Sequence, residues 1–144
     1  MKIRCATWKD AAALAAVEAT QPNAAGWGES GFASELRQTY SVIWCVCKIK
    51  NDEIVGFIAL RGVAGHAEIL NLAVHADYTQ RGIGRVLLDH TLEVLSGGWE
   101  ISLEVAKDNL IACALYEQVG FEKLGVRKDF YGPGRDGWIY GKKL

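Results

Sequence analysis

Apolar positions along this chain recur with two different periods, and the switches between them mark the elements. Met1 to Ala6 reads as a short first strand. Thr7 with Asp10 resembles a capping box opening an alanine-rich helix that runs to about Ala19. Pro22, Asn23, Gly26 and Gly28 make Thr20 to Gly28 a loop. Ser30 is placed to cap a second helix, with Phe32, Leu36 and Tyr40 inward. Val42 to Ile49 is β-branched and aromatic, hence a strand. Lys50 to Glu53 is a polar turn, and Ile54 to Arg61 the partner strand of a hairpin. Gly62 to Gly65 turns the chain into a further strand, Ala67 to Val74.

From Ile83 onward the period changes. Val86, Leu87, Leu88, Leu92 and Leu95 keep one helical face apolar, and Gly97-Gly98 stops that helix. Ile101 to Val105 is again a strand. Joined to the preceding strand through a helix, it is expected to lie parallel to it. Asp108 or Asn109 caps a helix from Leu110 to Val119. Phe121 to Phe130 reads as a strand, Gly132 to Gly137 as a long turn, and Trp138 to Lys142 as the last strand. The order β-α-α-β-β-β-α-β-α-β-β predicts one α/β domain over residues 1–144, with about four helices on a mixed, mostly antiparallel sheet. Ligands of such sheets sit at the carboxyl ends of strands where neighbours diverge. The strand before Gln80 and the strand ending at Val105 are the natural pair.

Composition narrows the classes. The chain has 144 residues, half of them hydrophobic, and a formal net charge of -1. That suits one domain with a proper core and gives no general attraction to nucleic acid or to an anionic membrane. No apolar run reaches the ~18 residues of a membrane span, and the N-terminus lacks a signal-peptide stretch. Cys5, Cys45, Cys47 and Cys113 form no Cys-x-x-Cys pair, and with His66, His75 and His90 they show no metal-site spacing. Reduced, mostly buried thiols in a cytoplasmic protein are the expectation.

The chemistry concentrates at Gln80-Arg81-Gly82-Ile83-Gly84-Arg85. Glycines let the backbone approach a ligand, and the amides that open a helix point outward with a partial positive charge. Together they make a phosphate cradle, with Arg81 and Arg85 beside it. A plain tight turn is the alternative for so short a motif. A P-loop is excluded because Arg85 is followed by Val86, and a dinucleotide fingerprint because Leu87 stands where the third glycine belongs.

The blocks LNLAVHADYTQRGIGRVLL and LEVAKDNLIACALYEQVGF, in this element order, resemble the GCN5-related N-acetyltransferase (GNAT) family over nearly the whole chain. Thr79 stands where the family's glycine motif usually opens with Gln or Arg. Leu103-Glu104-Val105, Asn109 and Ala114-Leu115-Tyr116-Glu117 are similar to the ribosomal-protein-alanine N-acetyltransferase (RimI-type) group. The resemblance implies acyl transfer from acetyl-CoA to the N-terminal α-amine of a protein, most simply the alanine of a ribosomal protein. It implies the GNAT fold, with a central parallel strand pair that splays to take the cofactor. The pyrophosphate would then lie on the amides of Gln80 to Arg85. The pantetheine arm would pair with main-chain groups of Leu72, Ala73 and Val74 and bond Asn109.

Within that reading Glu104 is the candidate general base. It sits between apolar neighbours, where burial of an unpaired carboxylate would make it more basic; an exposed strand-face Glu is the alternative. Tyr116 is the candidate general acid for the leaving thiolate, or otherwise a core residue beside Phe121. Asn109 can equally be a helix cap. Trp27 and Phe32 of the first inter-helix loop, with Phe130 and Tyr131 of the last hairpin, are candidates for the acceptor side, the first two being equally suited to a core. Gly26 replaces a Pro usual in the related group, and Phe130-Tyr131 replaces Tyr-Tyr. Arg127, Lys128, Arg135, Lys142 and Lys143 make the C-terminal third basic, either as ordinary solvated charge or as a rim meeting acidic groups. No metal, nucleic acid or membrane partner is implied, and a monomer or weak homodimer is expected. A same-fold enzyme acting on a small amine and a non-catalytic acyl-CoA-binding module are the competing readings.

Overall fold

Residues 1–144 are described by a computed structural model. Seven strands form one sheet: β1 (Lys2–Cys5), β2 (Ser41–Cys47), β3 (Ile54–Val63), β4 (His66–Val74), β5 (Glu100–Ala106), β6 (Glu122–Arg127) and β7 (Gly137–Lys143). Their spatial order is β1-β2-β3-β4-β5-β7-β6. Every pairing is antiparallel except β4 with β5. The predicted element order and the central parallel pair are therefore both present. Four α-helices complete the fold: α1 (Ala11–Glu18), α2 (Gly28–Glu35), α3 (Ile83–Val94) and α4 (Leu110–Gln118). None is long and apolar enough to cross a membrane.

The sheet divides the core in two. On one face α3 and α4 pack Leu87, Leu88, Cys113 and Tyr116 onto Ile58, Ile101, Leu103 and Tyr140. On the other, α1 and α2 pack Leu14, Val17 and Phe32 onto Ile43, Cys45, Phe57 and Ala73. Alternation along the strands supplies both faces. Cys45 and Cys47 share the α1/α2 face as their spacing requires, with sulfurs 3.7 Å apart, and all four cysteines are free.

Three boundaries depart from expectation. The expected Thr7–Asp10 capping box is present, the Thr7 N–H donating to Asp10 Oδ2 at 2.7 Å, but it opens a 3-10 turn, Trp8–Asp10, ahead of α1. α2 begins at Gly28, not after Ser30, and no side chain of its own N-cap, Trp27, caps it. Tyr40 lies beyond the helix and is exposed, its ring under the Arg61 guanidinium. β6 ends at Arg127, because Asp129 takes a left-handed backbone (φ 56°) that starts the turn three residues before Gly132.

One irregularity prepares the site. In the β3–β4 ladder Leu60 faces Ile69 and Ala59 faces Asn71, so Leu70 is an extra residue, a β-bulge. Ile69 stays in the α3/α4 core, whereas Asn71 turns to the α1/α2 face and meets Glu18.

Candidate active site

β4 and β5 pair only from His66/Glu100 to Ile69/Leu103. Beyond that register the strands part, leaving Leu70–Val74 on one side of a gap and Glu104–Ala106 on the other. The His75 N–H donates to the Val55 carbonyl at 2.8 Å. Antiparallel alternation from that bond sends the main-chain groups of Ala73 toward β3 and those of Leu72 and Val74 into the gap. The expected edge is thus supplied by Leu72 and by the Val74 N–H, the Val74 carbonyl being taken by Gln21 Nε2 at 2.8 Å, while Ala73, opposite Phe57, is occupied by the ladder.

At the far end of the gap α3 begins. No main-chain N–H from Gln80 to Arg85 donates a hydrogen bond within the protein; the first donor is Val86, to the Gly82 carbonyl at 3.0 Å. Gly82 is left-handed (φ 79°) and a Cβ there would meet open space. Gly84 has a further use: a Cβ there would lie 3.3 Å from the Leu115 side chain, so this glycine lets α3 approach α4. Arg81 stacks over Tyr78 at 4.9 Å, with Lys48 at 4.8 Å from the same ring. Arg85 bonds Asp89 at 3.1 Å. Such a row of free donors beside cations is chemically suited to a diphosphate.

Glu104 is the first residue of β5 beyond the last paired register. It is neither buried unpaired, as expected, nor fully exposed. Its side chain is 22% exposed and ion-paired with Arg127 of β6, Oε1 to Nε 2.9 Å. The Arg127 guanidinium also stacks on Phe130 at 5.2 Å. Strand alternation places Glu104 on the α1/α2 face, since Leu103 and Val105 belong to the other core.

Tyr116 is buried against Phe121 and Tyr140, ring centroids 5.8 and 6.2 Å away. Burial is the main cause of its raised phenol pKa, and nearby Tyr131 adds to it. Tyr131 is itself raised, by burial first and then by the Glu104 carboxylate. Its ring packs on Gly137, where a Cβ would be 3.0 Å away. Asn109 caps α4, its side-chain oxygen accepting the Ala112 N–H at 3.3 Å, which leaves its amide N–H groups free.

The acceptor-side candidates separate. Phe130 and Tyr131 are exposed at the rim. Phe32 is not available: it is fully buried, edge-on to Trp27 at 5.2 Å and to Phe57 at 5.1 Å. The face of α2 that carries Phe32 packs on Leu14, Val17 and Phe57, and its loop proximity in sequence does not expose it. Trp27 is half-buried and lines, with Leu70, Gly31, Ser34, Glu35 and Arg61, an open depression of about 370 Å³ on the α1/α2 face. Glu35 there binds Arg61 bidentately and accepts from the Ser41 hydroxyl. The basic C-terminal set is partly neutralised, Arg127 by Glu104 and Arg135 by Asp108 at 2.9 Å.

Sequence reasoning missed Glu18 and Asn71. The signal was present: Ala11, Leu14 and Glu18 follow the i, i+3, i+7 spacing of one buried helical stripe. Glu18 is 4% exposed and faces no cation. Its Oε2 accepts the Trp27 N–H at 2.9 Å and Asn71 Nδ2 at 2.8 Å, and its Oε1 accepts the Gly28 N–H at 3.0 Å. It therefore caps α2 in place of Ser30.

Comparison with known proteins agrees with this geometry. The family model described as Acetyltransferase (GNAT) family matches residues 8–121. The [ribosomal protein bS18]-alanine N-acetyltransferase of Escherichia coli (strain K12) is 34% identical over 113 residues, covering 77% of this chain and 74% of that protein. An N-alpha-acetyltransferase of Saccharolobus solfataricus is 29% identical over 128 residues, 78% of this chain and 75% of that protein. The crystal structure of the ribosomal-protein-S18-alanine N-acetyltransferase from Escherichia coli superposes with a TM-score of 0.86 at 27% identity, covering 99% of this chain and 93% of that one. Arabidopsis thaliana NAA60 in complex with acetyl-CoA shares the fold, with a TM-score of 0.83 at 19% identity over 99% of this chain and 98% of that one. A splayed parallel pair, a helix that opens on free amides and these likenesses converge: the chain belongs to the GNAT family and is an acetyl-CoA-dependent N-acetyltransferase.

Proposed function

We propose that this enzyme acetylates the α-amino group of a protein N-terminus, with an N-terminal alanine of a ribosomal protein as the first acceptor to test. The observation that carries the reading is the placement of Glu104 at the first unpaired position of the β4–β5 gap, on the face that α1 and α2 border. The names of the Escherichia coli and Saccharolobus relatives point to the same acceptor class.

Acetyl-CoA supplies the acetyl group as a thioester. The N–H groups of Gln80 to Arg85 hold its diphosphate. The main-chain edge of Leu72 and Val74 orients the pantetheine and polarises the thioester carbonyl, and the free amide of Asn109 adds a donor. Glu104 takes a proton from the acceptor ammonium, directly or through a water. A protein α-amine ionises near pKa 8 against about 10.4 for lysine, so its deprotonation at neutral pH is easier by roughly 3 kcal/mol. Tyr116, kept protonated by burial, gives its proton to the departing sulfur. Trp27, Phe130 and Tyr131 border the acceptor.

The test is a panel of peptides with free alanine, serine, methionine and blocked N-termini, set against small amines and read by free-thiol release. Turnover of free-amine peptides beginning with alanine, and none with blocked ones, is the expected result. Turnover confined to small amines overturns the reading in favour of a small-amine acetyltransferase.

A further inference from the structure

The end of α1 and the loop that follows it are tied to β4 and the turn just after β4 at four points. Asn71 Nδ2 donates to Glu18, and Asn71 Oδ1 accepts the Ala25 N–H at 3.3 Å. Gln21 Nε2 donates to the Val74 carbonyl at 2.8 Å, and the Ala76 N–H to Thr20 Oγ1 at 3.0 Å. Val74 is one of the two residues whose main chain faces the gap, and Asn71 directly precedes the other, Leu72. The same strand thus presents its edge toward the gap and anchors, through its side chains and Val74 carbonyl, the loop that carries Trp27.

At the centre is a carboxylate with an unusual diet of partners. Glu18 is buried without a cation, and both oxygens are taken by N–H donors from Trp27, Gly28 and Asn71. A buried charge in such a place is costly unless every lone pair it offers is used. Here it also replaces a helix cap that α2 lacks in its own sequence. Residues that only stabilise a helix start are ordinarily a Ser, Thr, Asp or Asn at the cap itself. A Glu delivered from the preceding helix fixes where α2 starts relative to β4, which a local cap cannot do.

We propose that Glu18 is a positioning residue for the acceptor: through Asn71 it sets Trp27 and Gly28 against β4, and so sets the acceptor loop against the cofactor edge. This rests on the peptide-acetylating reading above. Glu18 touches neither substrate, so its removal acts on acceptor binding and spares the chemistry at Glu104 and Tyr116.

The replacement Glu18→Gln puts an NH2 where Trp27 N–H and Asn71 Nδ2, or Gly28 N–H, need an acceptor. The second change Asn71→Asp moves the carboxylate one side chain along and restores the donor–acceptor match between the pair, and so the tie to β4, while the Trp27 N–H, which shares Glu18 Oε2 with Asn71, still faces the new NH2. Full-length wild type, Glu18→Gln and Glu18→Gln/Asn71→Asp are compared by steady-state kinetics with an alanine peptide, and by calorimetric titration with acetyl-CoA. Glu18→Gln is expected to raise the peptide KM about tenfold or more, the size of one lost hydrogen bond to a charged group. kcat and the acetyl-CoA Kd are expected to change less than about threefold, and the double variant to recover part of the peptide KM. An unchanged peptide KM, an equal loss in kcat or acetyl-CoA affinity, or no recovery in the double variant overturns the proposal. Failure of both variants to fold also overturns it, since Glu18 then serves the fold alone. If the wild type acetylates only small amines, the peptide reading fails separately, and the same KM split is read with the amine.

Discussion

Glu104 and Tyr116 lie on opposite faces of the sheet: Glu104 shares its face with α1 and α2, and Tyr116 packs on the other beside Tyr140, the cross-strand partner of Leu103. In a closed sheet two such groups could not serve one reaction. The parting of β4 and β5 after Ile69 and Leu103 opens a passage between the faces. A base can then work from the acceptor side and an acid from the α3/α4 side of one reacting carbonyl. Glu104→Gln and Tyr116→Phe are each expected to lower kcat by about a hundredfold or more, with acetyl-CoA affinity retained in calorimetry. Unchanged kcat in both removes the assignment.

Phe32 and Trp27 test the division between core and acceptor rim. Phe32 is fully buried between Trp27 and Phe57. Phe32→Ala should cost about 3–5 kcal/mol in urea unfolding, the usual loss for an aromatic core residue. Trp27→Ala, at a half-buried position, should act chiefly on the peptide KM. A Phe32→Ala protein of wild-type stability would place that ring outside the core.

Tyr140 carries a buried hydroxyl with no well-formed hydrogen bond, the Cys113 thiol and the Glu117 carboxylate being the polar groups near it. An orphaned buried donor costs the protein its desolvation and returns nothing. Tyr140→Phe is expected to leave stability unchanged or raise it by up to about 1 kcal/mol, measured by the urea midpoint at constant m-value. A marked loss would reveal a partner for that hydroxyl.

Acid should weaken the fold through two carboxylates. Asp10 is held below its ordinary pKa by the Arg4 guanidinium, and Glu35 by Arg61. Groups with depressed folded-state pKa values stabilise the protein fully above their unfolded values, near pH 4. That contribution is lost as pH falls through the lower folded-state values. Thermal midpoints should therefore hold steady from pH 7 to about 5 and decline below about 4, with a shallower decline in Asp10→Asn. An identical acid profile in Asp10→Asn would remove Asp10 from the account.

The order of elements, the parallel pair and the cradle of amides were legible in the chain itself, because each is a local matter. Apolar period separates helix from strand, a helix between two strands makes them parallel, and a glycine before a helix start leaves its first donors free. Glu104, Tyr116 and Asn109 stood out through the blocks that resemble the family and not through period or spacing. What pairs with a side chain is not local. Arg127 reaches Glu104 from a strand that is adjacent to β7 and not to β5, so nothing in the spacing announces it. The bulge at Leu70 turns Asn71 to the α1/α2 face by adding one residue to a ladder whose register only the neighbouring strand defines. The cap of α2 comes from Glu18, ten residues before Gly28, and it displaced the nearby Ser30 because a buried carboxylate must take the donors that packing brings to it.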